Sequence, residues 1–432
     1  MSEVKDLTCP CCGGSLRFDA LSQNVKCPFC DSEFSVDDLK IYDEQLERDF
    51  QDEADLHTGD EAELSESEME GLNVFSCASC GGEIIAGEHT SATACPYCGN
   101  PIVIQGRLTH GYKPKYIIPF KQDKDAAVAA LSEHLKHKPL VPRVFKAENK
   151  LNEVQSLYVP FWLYDADVEA RIKYVGTKER RWSTPEYNYK EVRYYSLIRE
   201  GSIGYEHLPV DASSSVPNNL SEAVEPYDFS GVDDFKTTYL AGFLSDKFDV
   251  SAEENAKRAV ERMKQGTESA FRATTREYDT VRTESCNVKM VNTHHDYALY
   301  PMHILHTTWR DKNYLFGMNG QTGKFVGDLP TSPFLFALWL ILSFVLSGGL
   351  LSTMLYFMMG KDPVGVVIGL VLGLILSLVL VFTLKRKNKS ADYRYGSADY
   401  YKPNSMNVSM SRDIYLYKKV TKTPRNNDSN RR

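Results

Sequence analysis

Two Cys-x-x-Cys pairs, Cys77-Ala78-Ser79-Cys80 and Cys95-Pro96-Tyr97-Cys98, are separated by 14 residues of this chain. A Cys-x-x-Cys turn presents two thiolates to one side of a metal ion, and a second such turn completes a tetrahedron of sulfur ligands. A connection of this length suits a short β-hairpin between the turns. The stretch therefore predicts a zinc ribbon with four cysteine ligands over residues 73–108, which we call the second ribbon.

The same pattern occurs again 68 residues nearer the N-terminus. Its two Cys-x-x-Cys pairs are also 14 residues apart, and two glycines again follow the first pair. A spacing that occurs twice is a strong metal-binding signal, and it predicts a first ribbon over residues 1–35. The expected zinc ligands are Cys9, Cys12, Cys27 and Cys30 in the first ribbon, and Cys77, Cys80, Cys95 and Cys98 in the second.

The remaining two of the ten cysteines are Cys11 and Cys286. Cys11 could compete with Cys12 as a ligand, but the second ribbon has Ser79 at the matching position, which favours Cys12. Cys286 lies in a predicted strand and is expected to be a buried thiol. Residues 1–19 hold mixed charges and no apolar core, so we expect no export signal and a reducing compartment.

Four cysteine ligands leave no open coordination position for water or substrate, so each predicted zinc site is structural. Zinc binding would supply folding energy that about 30 residues cannot obtain from an apolar core. A thioredoxin-like redox role is not favoured, because no βαβ pattern surrounds the pairs. The sequence thus predicts two bound zinc ions that hold the fold together.

Charge is distributed unevenly along the chain. Residues 31–72 contain 17 acidic and 2 basic residues, whereas residues 385–432 contain 13 basic and 4 acidic residues. The acidic stretch predicts a solvated linker over residues 36–72, with a docking segment as the alternative. A helix is possible over residues 36–55, although like charges crowd it.

The charge of the ribbons argues against nucleic acid as a partner. Residues 1–30 hold three basic and three acidic residues, and residues 73–110 hold Arg107 against Glu83 and Glu88. Neither ribbon has the basic patch that phosphate binding requires. The acidic linker would repel nucleic acid further.

Residues 109–330 are predicted to form an α+β cytoplasmic domain built on an antiparallel sheet. A helix is expected from Asp123 to Lys138, and a second from Ser251, whose capping box with Glu254 marks its start, to about Thr275. Strands are expected over residues 157–175, 187–202, 280–293 and 298–309.

Catalytic candidates in this domain are few. His294-His295-Asp296 is the best, but adjacent strand residues point to opposite faces, which favours a turn or a sheet surface. His303 and His306 also fall on opposite faces of a predicted strand. The chain lacks a Walker loop, a dinucleotide fingerprint, a zincin motif and a serine elbow. We therefore expect no catalytic residue and no enzyme.

Two long uncharged runs follow this domain. Residues 334–359 and 364–384 hold 26 and 21 residues without a charge. Each is long enough to cross about 30 Å of hydrocarbon, which predicts a hairpin of transmembrane helices over 333–359 and 363–384. The basic run Lys385–Lys389 favours a cytoplasmic location for the following segment. Both termini are then cytoplasmic, and residues 385–432 form a basic cytoplasmic tail.

Together with the Cys-x-x-Cys pairs, five phrases of the sequence carry a resemblance to a known family: residues 158–164, 208–213, 225–228, 239–243 and 316–324. With them the chain resembles a bacterial family of poorly characterised membrane proteins with transcription-factor-IIB-type zinc ribbons. The resemblance covers most of residues 75–385. Relatives of that kind are found beside phage-shock-type and SPFH-type envelope-stress proteins, so the resemblance implies an adaptor role at the inner membrane and names no catalytic residue.

The expected function is a non-enzymatic, membrane-anchored adaptor that recruits or scaffolds cytoplasmic proteins at the bacterial inner membrane during envelope stress. The expected partners are membrane lipids and proteins of the phage-shock or SPFH type. The alternatives are a membrane-linked nucleic-acid-binding protein and an enzyme hidden in the α+β domain. The tail could contact anionic lipid, enforce topology alone, or meet the acidic linker.

Overall fold

The computed structural model describes most of the chain between residues 9 and 425. The described residues are 9–11, 14–19, 24–30, 32–36, 39, 62–87, 94–108, 111–146, 153–310, 312–389 and 397–425. The strands are β1 (Arg17–Asp19), β2 (Asn24–Lys26), β3 (Glu33–Phe34), β4 (Leu72–Ser76), β5 (Glu83–Gly87), β6 (Val103–Arg107), β7 (Tyr116–Ile117), β8 (Gln155–Ser183), β9 (Tyr187–Asp211), β10 (Asp233–Asp234), β11 (Leu244–Asp246), β12 (Thr280–Trp309), β13 (Lys312–Asn319), β14 (Phe325–Gly327) and β15 (Asn407–Pro424). The α-helices are α1 (Glu66–Met69), α2 (Lys124–Lys136), α3 (Asn218–Val224), α4 (Ala252–Arg272), α5 (Pro333–Met358) and α6 (Pro363–Arg386).

The described strands form two sheets. β1, β2 and β3 form a small antiparallel sheet in the first ribbon. The other strands, β4 to β15, form one 12-stranded sheet. Its pairings are antiparallel except those of β11 with β8 and of β7 with β12. This sheet-rich architecture agrees in outline with the predicted α+β class.

Three very long strands run through the large sheet: β8 has 29 residues, β9 has 25 and β12 has 30. β8 lies between the other two over most of its length. The prediction of separate strands over 280–293 and 298–309 was wrong, because both belong to β12. The pairing of β12 with β8 shifts register between Val291 and His294, and this β-bulge absorbs the polar residues that interrupt the sequence pattern.

α4 covers one face of the long strands. It begins at the predicted capping box: the Glu254 N–H donates to the Ser251 hydroxyl at 3.3 Å, and the Ser251 N–H donates to the Glu254 carboxylate at 3.2 Å. Its buried residues recur at helical spacing from Ala252 to Phe271. The Tyr164 hydroxyl of β8 donates to the Ala252 carbonyl at 2.6 Å. Apolar packing and tyrosine hydrogen bonds together fix the helix on the sheet.

The second ribbon is continuous with the large sheet, rather than an isolated small domain. β4 pairs with β5 and β6, and β11 joins β5 to β8. The end of the predicted acidic linker is also structured: the Lys113 N–H donates to the Ala62 carbonyl at 2.7 Å, and Lys113 pairs with Glu68 of α1 at 2.6 Å. Nearly all of the helix considered over residues 36–55 lies outside the described residues.

The segment predicted as a basic tail contains β15, which the sequence analysis did not anticipate. β15 pairs antiparallel with β9 from Asn407 opposite Ser202 to Pro424 opposite Tyr187. Its Ile414 is buried against the first ribbon and β9. The basic composition suggested a solvated segment, but the apolar positions of β15 pair with a strand more than 200 residues away in sequence. Lipid contact was considered for the first ten or so residues of the tail from Lys385, and of these the residues from 390 onward lie outside the described part of the chain.

α5 and α6 are the two helices predicted to cross a membrane, and both are long and apolar enough to do so. They form an antiparallel pair connected by a short turn, in which the Val364 N–H donates to the Asp362 carboxylate at 2.9 Å. The Ser347 hydroxyl of α5 donates to the Gly373 carbonyl of α6 at 3.0 Å. Small buried residues recur every four positions on α6, at Gly365, Gly369, Gly373 and Ser377. This small-residue spacing lets two backbones approach closely.

Gly369→Leu is expected to separate α5 from α6. A Cβ at Gly369 would overlap backbone atoms of Ser352, which cannot move aside as a side chain could. Overpacking of this kind costs about 1–3 kcal/mol. The stability of the purified protein should fall in titrations with SDS in mixed micelles. Gly349→Leu is the matched control, because a Cβ at Gly349 meets nothing within 4 Å. Equal effects of the two substitutions would contradict this packing.

Candidate metal centres

The four cysteines of the second ribbon form one compact sulfur cluster. The Sγ atoms of Cys77, Cys80, Cys95 and Cys98 all lie within 4.8 Å of one another. The Cys77–Cys98 and Cys80–Cys95 sulfur distances are 3.5 and 3.6 Å. A tetrahedron with metal–sulfur bonds of about 2.3 Å has edges of about 3.8 Å. The cluster therefore fits a tetrahedral metal ion.

Each Cys-x-x-Cys pair of the second ribbon forms the same tight turn. The Cys77 N–H donates to the Gly82 carbonyl at 3.0 Å, and the Cys95 N–H donates to the Asn100 carbonyl at 2.7 Å. Gly81 and Gly99 follow the second cysteines with φ angles of +78° and +72°, which favour glycine. Gly99 has a further constraint, because a Cβ there would lie 2.9 Å from Nδ1 of His306.

Backbone N–H groups point at the sulfur atoms. Burial raises the pKa of Cys77, but the N–H groups of Cys80 and Ser79 donate to its sulfur and bring the pKa down to about 7. Burial raises the pKa of Cys80 and of Cys95. A bound cation would favour the thiolate form of all four ligands.

The second cluster is embedded in the core. Cys77, Cys95 and Tyr97 belong to one of the two large apolar clusters of the large sheet. The Tyr97 hydroxyl donates to the Asp246 carboxylate of β11 at 2.5 Å. Burial raises the pKa of Asp246 to about 7. The candidate metal ligands of the second ribbon are thus fixed by the same packing that holds the large sheet together.

The first ribbon repeats this geometry as far as it is described. The Sγ atoms of Cys9, Cys27 and Cys30 lie within 4.8 Å of one another, and those of Cys9 and Cys30 are 3.6 Å apart. The Cys9 N–H donates to the Gly14 carbonyl and the Cys27 N–H to the Ser32 carbonyl, both at 2.8 Å. These bonds match the turns of the second ribbon.

Cys12, the predicted fourth ligand, lies outside the described residues. Cys11 is described and is not part of the three-sulfur group. Its N–H donates to the Cys9 sulfur at 3.4 Å. Its side chain lines a groove between the first ribbon and the large sheet, beside Tyr417. This position fits the predicted preference for Cys12. Cys286 is half-buried, so its expected full burial was wrong.

The histidine candidates occupy separate places. His294 and Asp296 share a face of β12, with Nε2 and Oδ1 3.1 Å apart, and Lys115 donates to the same carboxylate at 2.8 Å. His295 lies on the other face, where its ring meets Trp162 edge-on at 5.5 Å. None of these residues belongs to a group of side chains close enough together to hold a metal ion. Among the described residues, only the two cysteine clusters form such groups.

Two residues that the sequence analysis did not single out approach His294 and Asp296. The N–H of His207 donates to the Asp165 carboxylate at 2.6 Å. Burial raises the pKa of Asp165, and the charge of Asp296 raises it further, whereas His207 and His294 lower it. Bulges in β9 and β12, the two strands that flank β8, bring these side chains together. Bulges leave little trace in a single sequence, so this cluster was missed.

His303 has a structural environment. Its Nδ1 lies 2.9 Å from the Ser156 hydroxyl, and its Nε2 lies 3.0 Å from the Gln122 carbonyl. The adjoining cavity has a volume of about 10 Å³, which is too small for a substrate. Burial lowers the pKa of His303, which keeps the ring neutral. His306 lies instead at Gly99 of the second ribbon.

Three of the phrases that carry the family resemblance meet in a buried polar network. Arg262 of α4 is 2% exposed and forms two hydrogen bonds to Glu225, at 2.7 and 3.0 Å. It also donates to the Pro209 carbonyl at 2.5 Å. The Asn319 amide donates to the carbonyls of Val224 and Pro226 at 3.1 and 3.2 Å. The network joins three distant segments and has a structural role.

The chain is similar to a protein of Bacillus subtilis (strain 168) named "Uncharacterized protein YdjG". The two are 29% identical over 237 residues, which make up 55% of this chain and 70% of that protein. No protein-family model matches the chain, and no solved structure matches it. The relative's name assigns no activity.

Proposed function

We propose that the chain is a non-enzymatic, membrane-anchored zinc-ribbon adaptor that recruits or scaffolds proteins at the cytoplasmic face of the bacterial inner membrane. The observation that carries the proposal is the closed cysteine cluster of the second ribbon. Four sulfur atoms surround one point, which leaves a bound ion no position for water or substrate. A site of this kind stabilises the fold that presents a binding surface, and it does not catalyse a reaction.

Zinc is the proposed ion for both ribbons. Tetrahedral sulfur sites suit zinc or iron–sulfur centres, and the single-ion size of the second cluster favours zinc. Cys77, Cys80, Cys95 and Cys98 would hold one ion, and Cys9, Cys12, Cys27 and Cys30 the other. Bound zinc would lock two turns of each ribbon together.

The pairing of β15 with β9 supports a transmembrane hairpin with both ends in the cytoplasm. β9 precedes α5 and β15 follows α6, and strands of one sheet lie on the same side of a membrane. The Leu329 N–H also donates to the Asn388 carbonyl at 2.9 Å, which joins the two ends of the hairpin. The basic run after α6 favours the cytoplasmic side.

Reporter fusions should distinguish this topology. A reporter that is active only outside the cytoplasm should give a signal when inserted at Gly360 and none when placed after Arg432. A reporter that is active only in the cytoplasm should give the opposite result, because the turn and the end of the chain lie on opposite sides of the membrane. Accessibility of the C-terminal fusion from outside the cell would contradict the hairpin. Identical signals from both fusions would contradict it as well.

The recruitment test uses a fluorescent fusion of an SPFH-type or phage-shock-type protein from the same organism. Its membrane signal is expected to be high with the full chain and to fall with Cys27→Ser, which opens the first ribbon. Cys286→Ser is the matched control, because Cys286 belongs to neither cluster. An unchanged distribution of the partner when the chain is absent would contradict recruitment of that class.

The enzyme alternative has one supporting observation. A cleft of about 460 Å³ opens beside His207, one of the residues that approach His294 and Asp296. It is lined by Glu206, His207, Asp228 and Asp399 together with several tyrosines. Carboxylates and aromatic rings suit a cationic small molecule. Stabilisation of the protein by small amines, lost in His207→Asn, would favour this alternative. No stabilisation by any amine would remove it.

A further inference from the structure

The far end of the long strands is a bare three-stranded sheet, which we call the arm tip: residues 178–183 of β8, 187–193 of β9 and 418–424 of β15. Among these residues only Glu191 is buried. A 29-residue strand at ~3.3 Å per residue carries this end up to about 90 Å from the start of β8. Both faces of the arm tip are therefore open to solvent.

The strand register sorts the side chains of the arm tip onto two faces. Trp182 lies opposite Tyr189, and Lys422 lies opposite the same Tyr189 from the other strand. Alternation along each strand then defines one face, which we call the basic-aromatic face. It carries Lys178, Arg180, Trp182, Tyr187, Tyr189, Glu191, Arg193, Lys418, Val420, Lys422 and Pro424.

Aromatic rings lie between cations on this face. Trp182 and Tyr189 are stacked, with centroids 5.3 Å apart and planes 2° apart, and Trp182 remains 37% exposed. The Lys422 ammonium lies 3.6 Å from the centroid of the Tyr187 ring. The Arg180 guanidinium lies 5.7 Å from the centroid of the Trp182 ring. The Trp182 ring is thus accessible, and cations lie over the rings of Trp182 and Tyr187.

Much of the positive charge is not neutralised by the protein. Arg193 pairs with Glu191 at 2.7 Å, and Lys178 pairs with Glu277 at 2.8 Å. Arg180, Lys418 and Lys422 form no ion pair with any residue that the structure describes. Free cations beside accessible rings match two features of a nucleic acid, its phosphates and its bases.

We propose that the basic-aromatic face binds single-stranded nucleic acid. Bases stack on exposed aromatic side chains of antiparallel sheets, while cations beside the rings neutralise the phosphates. Such binding depends little on sequence, because every base has a π-face. The two ribbons lack a basic patch, whereas the basic-aromatic face of the arm tip carries five basic residues. This activity goes beyond the adaptor role.

Two other polyanions fit the face less well. A bilayer would require apolar side chains at the end of the arm, but the hairpin turn consists of Thr184, Pro185 and Glu186. An acidic peptide would use the cations and leave the stacked rings without a role. Bases and phosphates use both.

The test uses the full chain in nanodiscs of zwitterionic lipid and fluorescein-labelled 20-nucleotide oligo(dT) and oligo(U). Anisotropy titrations at several salt concentrations give the affinity and its salt dependence. Trp182→Ala with Tyr189→Ala should weaken binding at least about tenfold while leaving the salt slope unchanged, because stacking is lost and charge is kept. Trp182→Phe keeps a ring and should retain most of the binding.

Charge variants provide the matched comparison. Arg180→Gln, Lys418→Gln and Lys422→Gln together should reduce the salt slope by about 2, since three phosphate contacts on a single strand are lost. Arg181→Gln, Lys190→Gln and Lys419→Gln remove the same charge from the opposite face and should change the slope much less. Circular dichroism of each variant confirms the fold.

Several results would overturn the proposal. One is the absence of oligonucleotide binding by the native chain. This includes the case in which the native chain binds vesicles that contain anionic lipid but binds no oligonucleotide. Another is equal loss from the two triple charge variants. A third is displacement of the oligonucleotide by polyglutamate together with unchanged binding in the double ring variant, which would indicate an acidic-peptide surface.

Discussion

Cys95→Ser is expected to unfold the second ribbon together with the part of the large sheet around it. Cys95 is fully buried in one of the two large apolar clusters of the large sheet, so its loss both opens the sulfur cluster and disturbs the core. Structural zinc contributes about 10–16 kcal/mol to small zinc domains. This exceeds or matches the whole stability of a typical domain, about 5–15 kcal/mol. The variant should not show the cooperative thermal unfolding of the native chain. The native chain should lose this cooperative unfolding after treatment with a strong zinc chelator.

Two comparisons make this prediction specific. Cys286→Ser should leave thermal unfolding nearly unchanged, because Cys286 lies outside both clusters. Cys30→Ser should affect mainly the first ribbon, because Cys30 is exposed and the small sheet β1–β3 is separate from the large one. Retention of native unfolding by Cys95→Ser would contradict a structural metal site in the second ribbon.

Arg262→Ala is expected to destabilise the chain by about 3–5 kcal/mol, because it leaves the carboxylate of Glu225 buried without its partner. Both side chains are 2% exposed. Denaturant titrations of the purified chain should show the loss. Replacing both residues, with Arg262→Met and Glu225→Leu, should recover much of the stability, since no buried charge then remains. A double variant as unstable as Arg262→Ala would contradict this explanation.

The same substitution should make stability depend on pH. Burial raises the pKa of Glu225 even in the native chain, and Arg262 opposes this shift. Without Arg262 the folded-state pKa rises further above the unfolded value. The folded variant then holds a proton that the unfolded chain releases, so stability falls as the pH rises between the two values. The loss caused by Arg262→Ala should therefore be larger at pH 8 than at pH 5.

The features that the sequence predicted are those with local signals. Cysteine spacing located the sulfur clusters, since each turn is formed within six residues. The length of the two runs without a charged residue located α5 and α6. The cap of α2 was also local: the Ala126 N–H donates to the Asp123 carboxylate at 2.7 Å, as expected from an aspartate before an apolar periodic run.

The features that the sequence did not predict depend on distant pairing. β15 has a basic composition typical of a solvated tail, and only its register with β9 gives its apolar residues a place. The approach of Asp165 and His207 to Asp296 depends on bulges in two strands. The integration of the second ribbon depends on the three-residue strand β11. None of these contacts changes the local pattern that a single sequence displays.

The pairing of β15 with β9 brings the segments that precede and follow the helical hairpin into one sheet, and β15 forms one edge of the basic-aromatic face. Its register can be measured with a disulfide between β9 and β15. Asn188 and Thr423 are direct cross-strand partners near the exposed end of both strands. Cross-strand neighbours are about 4.5–5.5 Å apart at Cα, which suits a disulfide.

The chain with Asn188→Cys and Thr423→Cys should form this disulfide in native membranes under mild oxidation, and peptide mapping should identify it. Asn188→Cys with Lys419→Cys is the control, because Lys419 pairs with Val192, four residues along β9. The predicted result is cross-linking of the first pair and much less of the second. Equal cross-linking of both pairs, or of neither, would contradict the pairing of β15 with β9.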